Sequence, residues 1–382
     1  MRALCWVAAD ELAVREVPDP ELRNERDAIV RVRRSSTSGA DLPLLAGRDP
    51  LLRAGDVFGT EFLGEVVEAG PAVRRHRVGD RVVVGASVAC GGCWYCRRGR
   101  HSCCDNGSTD PVTADPGWGR SDAGCFGRPP AAGGFAGGHA EYVRVPYADV
   151  GAFRVPDAVG DDRALFAADA APTGWLAAEL GDVRPGDVVA VWGAGAVGQL
   201  TARAALMRGA DRVVVVDRHE ERLRMAERHS GAEPLDYRRT DIPSELRDRS
   251  GGRGADVCVL AVGAPPARSV TERLAGRGAD RPDALHEAVH ACRKDGVVVV
   301  LGGAEAFVDA FPLGAVTDRR LTLRGAGRPD LRDVPMLLHR MARDELRTEH
   351  LATHQLPLED GPKGYALFRD RADGCVRAVF TP

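Results

Sequence analysis

One segment, residues 188–208, constrains the fold of this chain more than any other. It opens with five apolar residues that predict a buried strand, and it closes with a pattern that predicts a helix. The turn between them has the spacing G-x-G-x-x-G and contains Gly193, Gly195 and Gly198. Glycines at these places allow a tight turn, a close approach of a pyrophosphate, and close packing of helix on strand. The segment therefore predicts a dinucleotide site at the start of the helix, where Ala196 and Val197 offer backbone N–H groups.

A second apolar run, Val213–Val216, ends in Asp217, about 20 residues after the glycine turn. A carboxylate at that place binds a ribose 2′-hydroxyl and repels a 2′-phosphate. We therefore predict NAD(H), rather than NADP(H), as the cofactor. Arg218 follows directly and would weaken this preference by attracting a phosphate. A glycine-rich turn without a ligand is the alternative interpretation.

The pattern of apolar and turn-forming residues changes twice along the chain. Continuous apolar runs alternate with helical segments from about residue 186 to residue 302, which predicts a doubly wound domain with a parallel sheet. Short strand-like runs separated by Gly, Pro and Asp precede it and return after it, as in a β-barrel or sandwich. The predicted fold class is α/β. The predicted boundaries are 1–153 for the barrel domain, 154–304 for the doubly wound domain and 305–382 for the return to the barrel domain.

Composition argues against several classes of partner. The net charge of −3 and the pI near 6.4 disfavour a nucleic acid or an acidic membrane surface. No apolar run approaches the roughly 18 residues that a membrane span requires, and the N-terminal residues show no apolar signal segment. We therefore expect a cytoplasmic protein with reduced thiols that acts on a small-molecule substrate.

Five of the ten cysteines lie between residues 90 and 104. Four of them have the spacing Cys-x2-Cys-x2-Cys-x7-Cys, namely Cys90, Cys93, Cys96 and Cys104. Four thiolates complete a tetrahedral zinc shell, which is typical of a structural zinc site and not of a catalytic one. An iron–sulfur cluster and a set of unpaired buried thiols are the competing interpretations. Cys103 competes with its neighbour for the fourth position.

These motifs resemble those of zinc-type medium-chain dehydrogenases/reductases, the alcohol dehydrogenase superfamily. The run Cys-Gly-Gly-Cys-Trp-Tyr-Cys-Arg-Arg-Gly, which closes on Cys-Asp-Asn, is similar to their structural zinc lobe and favours zinc over iron–sulfur. Gly137–Pro146, Asp169–Gly174 and Asp217–Leu223 are similar to the formaldehyde-dehydrogenase-like branch. The resemblance implies a GroES-like catalytic domain, a Rossmann domain, an active site in the cleft between them, and a homodimer or homotetramer. It also implies that Thr173 lies beside the nicotinamide.

The catalytic zinc ligands of that superfamily are missing from the matching positions. Ser38 stands at the position of the ligand Cys, and Thr60 stands at the position of the ligand His. Glu61 is retained beside Thr60. Asp169 stands at the position of a third ligand, which this branch often fills with Asp. Such a set makes a poor zinc site, because zinc prefers thiolate and imidazole ligands.

The proton relay that serves alcohol oxidation in the superfamily is missing too, because Ala40 and Pro43 replace its hydroxyl and its histidine. Without a Lewis acid, a plain alcohol or ketone loses its main electrostatic support, whereas an activated C=C or C=N bond needs that support less. We therefore predict NADH-dependent reduction of an enone, iminium or quinone-like bond. Asp169 is the candidate proton donor or charge partner, and Ser38 and Thr60 are candidate hydroxyl donors to the substrate.

Several alternatives stay open at this point. One alternative is an alcohol or aldehyde dehydrogenase with an unusual or absent catalytic metal. A second is an NAD(H)-binding protein without catalytic activity, and a third is an enzyme that recycles tightly held NAD. Asp169 equally suits a structural role, and His139 suits a hydrogen-bonded loop histidine better than an acid. The Gly- and Pro-rich segment Asp105–Gly138 predicts an ordered functional loop, on which Trp118 and Arg120 are candidates for the pocket wall.

Overall fold

The computed structural model describes residues 1–107, 123–129, 133–263, 284–301 and 311–382. The strands are β1 (Arg2–Ala8), β2 (Glu11–Glu16), β3 (Ala28–Ser36), β4 (Glu61–Ala69), β5 (Arg81–Val84), β6 (Ser87–Val88), β7 (Gly124–Cys125), β8 (Tyr142–Val145), β9 (Ala152–Arg154), β10 (Val188–Trp192), β11 (Arg212–Asp217), β12 (Glu233–Asp236), β13 (Ala255–Leu260), β14 (Cys292–Leu301), β15 (Thr322–Ala326), β16 (His354–Pro357) and β17 (Ala378–Thr381). The helices are α1 (Leu42–Leu45), α2 (Ala148–Gly151), α3 (Asp161–Ala164), α4 (Ala170–Leu180), α5 (Ala196–Met207), α6 (Glu220–Ser230), α7 (Ile242–Arg249), α8 (Ala284–Ala291), α9 (Leu313–Asp318), α10 (Val334–Ala342) and α11 (Gly361–Asp370). Trp118 and Arg120 lie outside the described residues, so their predicted place in the pocket wall stays a prediction.

The chain forms two compact units. The first contains residues 1–172 and 328–382, and the second contains residues 173–327. The largest sheet of the first unit has the order β16-β17-β3-β4-β5-β9, and β8 also pairs with β3. Apolar side chains of these strands, among them Val30, Phe62 and Val82, pack together in a buried core. Alternation along β3, where Arg31 and Arg33 face outward between buried residues, turns one face of the sheet toward that core.

The second unit contains a six-stranded sheet with the order β12-β11-β10-β13-β14-β15. All five neighbouring pairs are parallel. The strand order reverses between β10 and β13, and ligands of such sheets bind at the carboxyl ends of the strands near that switch point. The glycine turn that follows β10 is therefore at the place where this architecture receives a dinucleotide.

Both faces of the six-stranded sheet are covered. Val189 and Val191 of β10 pack into one buried cluster, while Ala190 and Trp192 of the same strand pack into a second cluster on the other face. Because both faces are buried, the strand consists of a continuous apolar run rather than an alternating one. The predicted fold class, α/β with a parallel sheet, is confirmed by this arrangement.

The limits of the second unit differ from the boundaries that the sequence indicated. The sequence placed the return to the barrel domain at residue 305, but β15 forms a sixth strand beside β14, so the second unit extends to residue 327. Four of the five β15 residues are exposed, and an exposed edge strand lacks the apolar run that marks a central one. At the other boundary, residues 154–172 belong to the first unit. In the part of the chain that the structure describes, no helix is long and apolar enough to cross a membrane.

Candidate functional site

The four predicted zinc ligands lie together in one lobe of the first unit. The Sγ atoms of Cys90, Cys93, Cys96 and Cys104 all lie within 4.8 Å of one another. Cys103 is exposed and lies outside this group. Four sulfurs at such distances match a tetrahedron around a zinc ion with Zn–S bonds of about 2.3 Å. The lobe therefore fits a structural zinc site, as predicted.

N–H donors around the lobe favour the thiolate form of Cys90. Its Sγ accepts hydrogen bonds from Asn106 Nδ2 at 3.3 Å and from the backbone N–H groups of Gly92 and Cys93 at 3.4 Å. Burial opposes ionisation, but these donors outweigh it and lower the pKa of the Cys90 thiol to about 6. Burial raises the pKa of Cys104 to about 11, so a bound cation is needed to ionise the whole set.

The hydroxyls of Ser38 and Thr60 are both engaged in hydrogen bonds within the fold. Ser38 caps the short 3₁₀ turn Gly39–Asp41: its Oγ accepts from the Ala40 N–H at 3.4 Å, and its own N–H donates to Asp41 at 2.8 Å. The Thr60 hydroxyl donates to the other oxygen of the Asp41 carboxylate at 3.2 Å. Both side chains are at most 3% exposed. Neutral hydroxyls engaged in this way do not fit a catalytic zinc site.

Asp41 is the centre of a buried polar network that the sequence analysis did not identify. Its carboxylate is 1% exposed and accepts a hydrogen bond from the Tyr365 hydroxyl at 2.9 Å. The same hydroxyl lies 2.9 Å from His139 Nε2, and His139 Nδ1 lies 2.8 Å from the hydroxyl of Ser35. Burial lowers the pKa of His139 to about 4. The ring is therefore neutral at pH 7, and both of its nitrogens have hydrogen-bond partners.

Arg128 brings a positive charge to this network. Its Nη1 donates to the carbonyl oxygen of Ala40 at 2.7 Å, and its Nη2 lies 3.8 Å from the carboxylate of Asp41. Burial disfavours the charge, but the interactions with Cys125 and with the carboxylates of Asp41 and Asp169 outweigh it and raise the pKa of Arg128. The side chain keeps 15% exposure. No sequence motif marked this residue, because 88 positions separate it from Ala40.

Glu61 forms a second buried pair beside the network. One oxygen accepts a hydrogen bond at 2.7 Å from the N–H of Ala170, the first residue of α4. The other oxygen lies 3.6 Å from Arg377 Nε, and neither of these two atoms has a hydrogen-bond partner. Burial raises the pKa of Glu61 to about 8 against the opposing charge of Arg377, and the charge of Asp169 contributes. Asp169 itself is half-buried and directly precedes α4.

We expect the raised pKa of Glu61 to make the stability of the chain depend on pH. Glu61 has a folded pKa of about 8 against an ordinary 4.5, so its contribution is complete below pH 4.5 and is lost as the pH rises through 8. His139, with a folded pKa of about 4 against 6.5, loses stability as the pH falls from 6.5 to 4. Above pH 6.5, the pH dependence of stability that Glu61 causes is therefore not offset by the titration of His139. Between pH 6.5 and 8, Glu61→Gln should remove on the order of 1–2 kcal/mol of the change in unfolding free energy with pH.

Thermal unfolding of the wild type and Glu61→Gln across this pH range measures the difference. Equal pH slopes for the two proteins would show that Glu61 ionises at an ordinary pH.

The glycine turn of the second unit is tight and leaves open space at its centre. Gly193 has φ of +108°, and its N–H donates to the Val216 carbonyl at 2.8 Å. A Cβ at Gly198 would lie 1.8 Å from the Gly193 carbonyl oxygen, so only glycine allows this packing. A Cβ at Gly195 would meet nothing closer than 3.9 Å, on Arg222. The space beside Gly195 fits the approach of a pyrophosphate to the backbone.

The groups around this turn fit the rest of a dinucleotide. Ala196 and Val197 are the first two residues of α5, so their N–H groups lie at the helix N-terminus. The Asp217 carboxylate, at the end of β11, accepts backbone N–H groups of Ala194 at 2.7 Å, Arg218 at 2.6 Å and His219 at 3.1 Å. Burial opposes ionisation, but these bonds hold the pKa of Asp217 below its ordinary value. The carboxylate is thus an anion with a fixed orientation.

A cavity of about 420 Å³ opens beyond the carboxyl ends of β11 and β12. It is lined by Arg218, His219, Tyr237 and Arg238. Its place next to Asp217 fits the adenosine end of the cofactor. The Arg238 guanidinium is engaged by the Asp236 carboxylate, with contacts of 2.7 and 3.1 Å. Thr173, the predicted neighbour of the nicotinamide, lies in the first turn of α4.

Comparisons with known proteins assign the chain to a family. Residues 24–157 match the alcohol dehydrogenase GroES-like domain, and residues 196–279 match the zinc-binding dehydrogenase domain. The chain is 31% identical over 388 residues to the zinc-type alcohol dehydrogenase-like protein AdhB of Bacillus subtilis, with full coverage of both chains. It belongs to the zinc-type alcohol dehydrogenase family. The predicted medium-chain dehydrogenase/reductase superfamily is confirmed, and the relatives of this family member are oxidoreductases.

Two further comparisons extend this result. The family member is 36% identical over 275 residues to the medium chain reductase/dehydrogenase ucsI of Acremonium sp., which covers 70% of this chain and 87% of that protein. The alcohol dehydrogenase TADH from Thermus sp. ATN1 superposes with a TM-score of 0.84 at 31% identity, and covers 100% of this chain and 99% of that one. The formaldehyde-dehydrogenase-like branch stays a prediction.

One of the two zinc sites of the resembled superfamily, the structural one, has a matching group of ligands in the described residues, and the loss of the catalytic site stays a prediction. Within residues 1–107, 123–129, 133–263, 284–301 and 311–382, the four-cysteine lobe is the single group of His, Cys, Asp or Glu ligands close enough to hold a metal ion. Ser38, Thr60, Glu61 and Asp169 belong to the same unit but do not form such a group. Ser38 and Thr60 form hydrogen bonds with Ala40 and Asp41, and Glu61 accepts the N–H of the first residue of α4.

Proposed function

We propose that this chain is an NADH-dependent reductase of an activated C=C or C=N bond in a small molecule, such as an enone, an iminium ion or a quinone-like compound. The proposal rests on the donor set at the positions of the catalytic zinc ligands. There, the hydroxyl of Ser38 accepts a hydrogen bond from the Ala40 N–H, and the hydroxyl of Thr60 donates one to the Asp41 carboxylate. A reaction at this site must therefore draw its electrostatic support from the side chains of the chain itself and from the substrate.

The second unit supplies the groups that would bind the cofactor. The backbone around Gly193, Gly195 and Gly198 would receive the pyrophosphate, with help from the N–H groups at the start of α5. Asp217 would bind the ribose and favour NADH over NADPH. When bound, NADH supplies the hydride. Thr173 would lie beside the nicotinamide, as the resemblance implies.

The side chains of the first unit would position the substrate and supply charge. Asp169 is half-buried beside the Glu61 pair, and a carboxyl in such a place is suited to hold or move a proton. Glu61 is largely protonated at pH 7, since burial raises its pKa to about 8. Its role would be to hold the start of α4. We further propose a cytoplasmic homodimer or homotetramer, on the resemblance alone.

An alcohol dehydrogenase is the second candidate, and the names of the relatives favour it. AdhB is described as zinc-type alcohol dehydrogenase-like, and TADH is described as an alcohol dehydrogenase. The residues at the ligand positions count against this candidate. Ala40 has no hydroxyl to relay a proton, and Pro43 lies in α1 where the superfamily has a histidine.

Zinc content and a substrate panel test the proposal together. We expect about one zinc per subunit by elemental mass spectrometry of protein purified without added metal, which corresponds to the four-cysteine lobe. We expect NADH oxidation with 2-cyclohexen-1-one or a 1,4-naphthoquinone, and no reduction of NAD⁺ with cyclohexanol, the reaction of an alcohol dehydrogenase. About two zincs per subunit, with oxidation of cyclohexanol, would overturn the proposal in favour of the alcohol dehydrogenase.

A further inference from the structure

The guanidinium of Arg128 contacts Ala40 and Asp41, which are neighbours of the residues at the positions of the catalytic metal ligands. Ala40, whose carbonyl accepts its hydrogen bond at 2.7 Å, stands at the position of the relay hydroxyl. Asp41, 3.8 Å away, also binds Thr60, which stands at the position of a ligand histidine. Asp169, at the position of a third ligand, attracts the same guanidinium. The chain therefore provides a fixed positive charge in the environment that holds a metal cation in the resembled superfamily.

We propose that Arg128 binds the carbonyl oxygen of the substrate, and that the substrate is therefore an α,β-unsaturated carbonyl compound. This inference rests on the proposed function and narrows it to one of its substrate classes. It also assigns a role to a residue that no motif indicated.

The contacts of Arg128 leave it able to bind a ligand. A guanidinium has five N–H donors, and among the residues that the structure describes the bonds to Ala40 and Cys125 use two of them. The distance of 3.8 Å to Asp41 makes an ion pair but is too long for a hydrogen bond. The side chain is 15% exposed, so a small molecule has access to it. Donors directed at an oxygen from a site that water reaches little are stronger than the same donors in bulk water.

Asp41 keeps the guanidinium in place. Its carboxylate receives the Ser38 N–H and the hydroxyls of Tyr365 and Thr60, at 2.8, 2.9 and 3.2 Å. Three donors hold the carboxylate in one orientation, and all of them are buried. The position of Arg128 is thus determined before a substrate arrives, and a preorganised charge costs little reorganisation during the reaction.

The proposed step balances in atoms and charge. The β-carbon of the substrate accepts a hydride from NADH and forms a C–H bond, while the C=C electron pair moves to form an enolate. The negative charge appears on the carbonyl oxygen, where the N–H groups of Arg128 donate hydrogen bonds to it. One hydrogen ion, taken up from the solvent for each NADH oxidised, then binds to the α-carbon and restores the C=O bond. The products are the saturated carbonyl compound and NAD⁺.

The charge of Arg128 separates the substrate classes that the sequence left open. An enone or a quinone places its developing negative charge on oxygen, which a guanidinium stabilises. An iminium ion carries a positive charge before reduction and loses it during the reaction, so a nearby guanidinium repels the reactant and gives no stabilisation to the product. We therefore expect 2-cyclohexen-1-one to be reduced and N-methylpyrrolinium to be a poor substrate.

Variants of Arg128 test the assignment with two readouts, both measured on the zinc-containing full chain. The first readout is kcat/KM for 2-cyclohexen-1-one with NADH, and the second is the Kd of 4-nitrophenolate, a planar oxyanion, in the presence of NAD⁺. For Arg128→Met we expect a loss of about 100- to 1,000-fold in kcat/KM and a loss of at least about tenfold in phenolate affinity. Arg128→Lys keeps the charge but not the forked geometry, and we expect an intermediate loss of both. The Kd of NADH should not change.

Arg144→Met is the matched control, because Arg144 is a similarly buried arginine of the same unit, paired with the buried Asp27 at 2.8 Å. We expect it to leave both readouts unchanged. Should Arg128→Met fail to fold, Arg128→Lys carries the test alone. Equal kcat/KM and equal phenolate affinity in the wild type and the Arg128 variants would overturn the inference while the proposed reductase function stood. Phenolate binding that depends on Arg128 without any enone reduction by the wild type would instead overturn the function and leave the oxyanion site.

Discussion

Cys104→Ser is expected to release the zinc ion and to destabilise the first unit severely. Cys104 is fully buried, and its Sγ accepts the N–H groups of Cys90 and Asn106 at 3.3 and 3.4 Å. A structural zinc site contributes on the order of 10 kcal/mol to folding, which is comparable to the whole stability of a domain. We expect the zinc content to fall from about one per subunit to near zero, and the midpoint of thermal unfolding to fall by more than about 10 °C.

Cys103→Ser is the matched control for this experiment. It changes the same kind of residue at the adjacent position, where the thiol is exposed and outside the ligand group. We expect its zinc content and unfolding midpoint to equal those of the wild type. Loss of zinc in Cys103→Ser, with zinc retained in Cys104→Ser, would exchange the roles of the two cysteines.

Gly198→Ala is expected to weaken NADH binding by at least about 100-fold. The new Cβ would lie 1.8 Å from the backbone oxygen of Gly193 and 2.9 Å from its carbonyl carbon. Backbone cannot yield as a flexible side chain does, so the first turn of α5 must move away from the glycine turn. The N–H groups that bind the pyrophosphate move with it. Titration of NADH fluorescence measures the change in Kd.

Gly325→Ala is the control for the effect of an added methyl group. Gly325 lies in β15 of the same unit, where a Cβ would meet only the Val300 carbonyl at 3.8 Å. We expect unchanged NADH affinity. Tight NADH binding by Gly198→Ala would mean that the dinucleotide does not occupy this turn.

The elements that sequence analysis predicted are those whose residue pattern lies within one short, continuous segment of the chain. The strand, turn and helix of residues 188–208 lie next to each other in the sequence, and each has its own pattern of apolar or glycine residues. The zinc lobe is local in the same sense, because its four ligands lie within 15 residues of one another, from Cys90 to Cys104. Local spacing constrains local geometry, so these features followed from the sequence.

Other parts of the fold had no local signal. β15 is an edge strand with four exposed residues, and its place in the parallel sheet depends on pairing with β14. The sequence therefore indicated the end of the second unit too early. The Cys-Asp-Asn context favoured Cys104 over Cys103 as the fourth ligand, and the structure confirms this choice, because Cys104 is buried within the ligand group whereas Cys103 is exposed.

The sequence by itself determined the α/β fold class, the glycine turn with Asp217 and the zinc lobe, and it predicts the loss of the catalytic metal ligands at Ser38 and Thr60. Only the tertiary structure decided what occupies that vacated environment. Tyr365 binds Asp41 across 324 positions of the chain, and Arg128 binds Ala40 across 88. Such contacts arise when distant segments pack together, and no spacing of residue types along the chain records them. A buried carboxylate must find hydrogen-bond donors and an opposite charge, and folding alone determines which residues supply them.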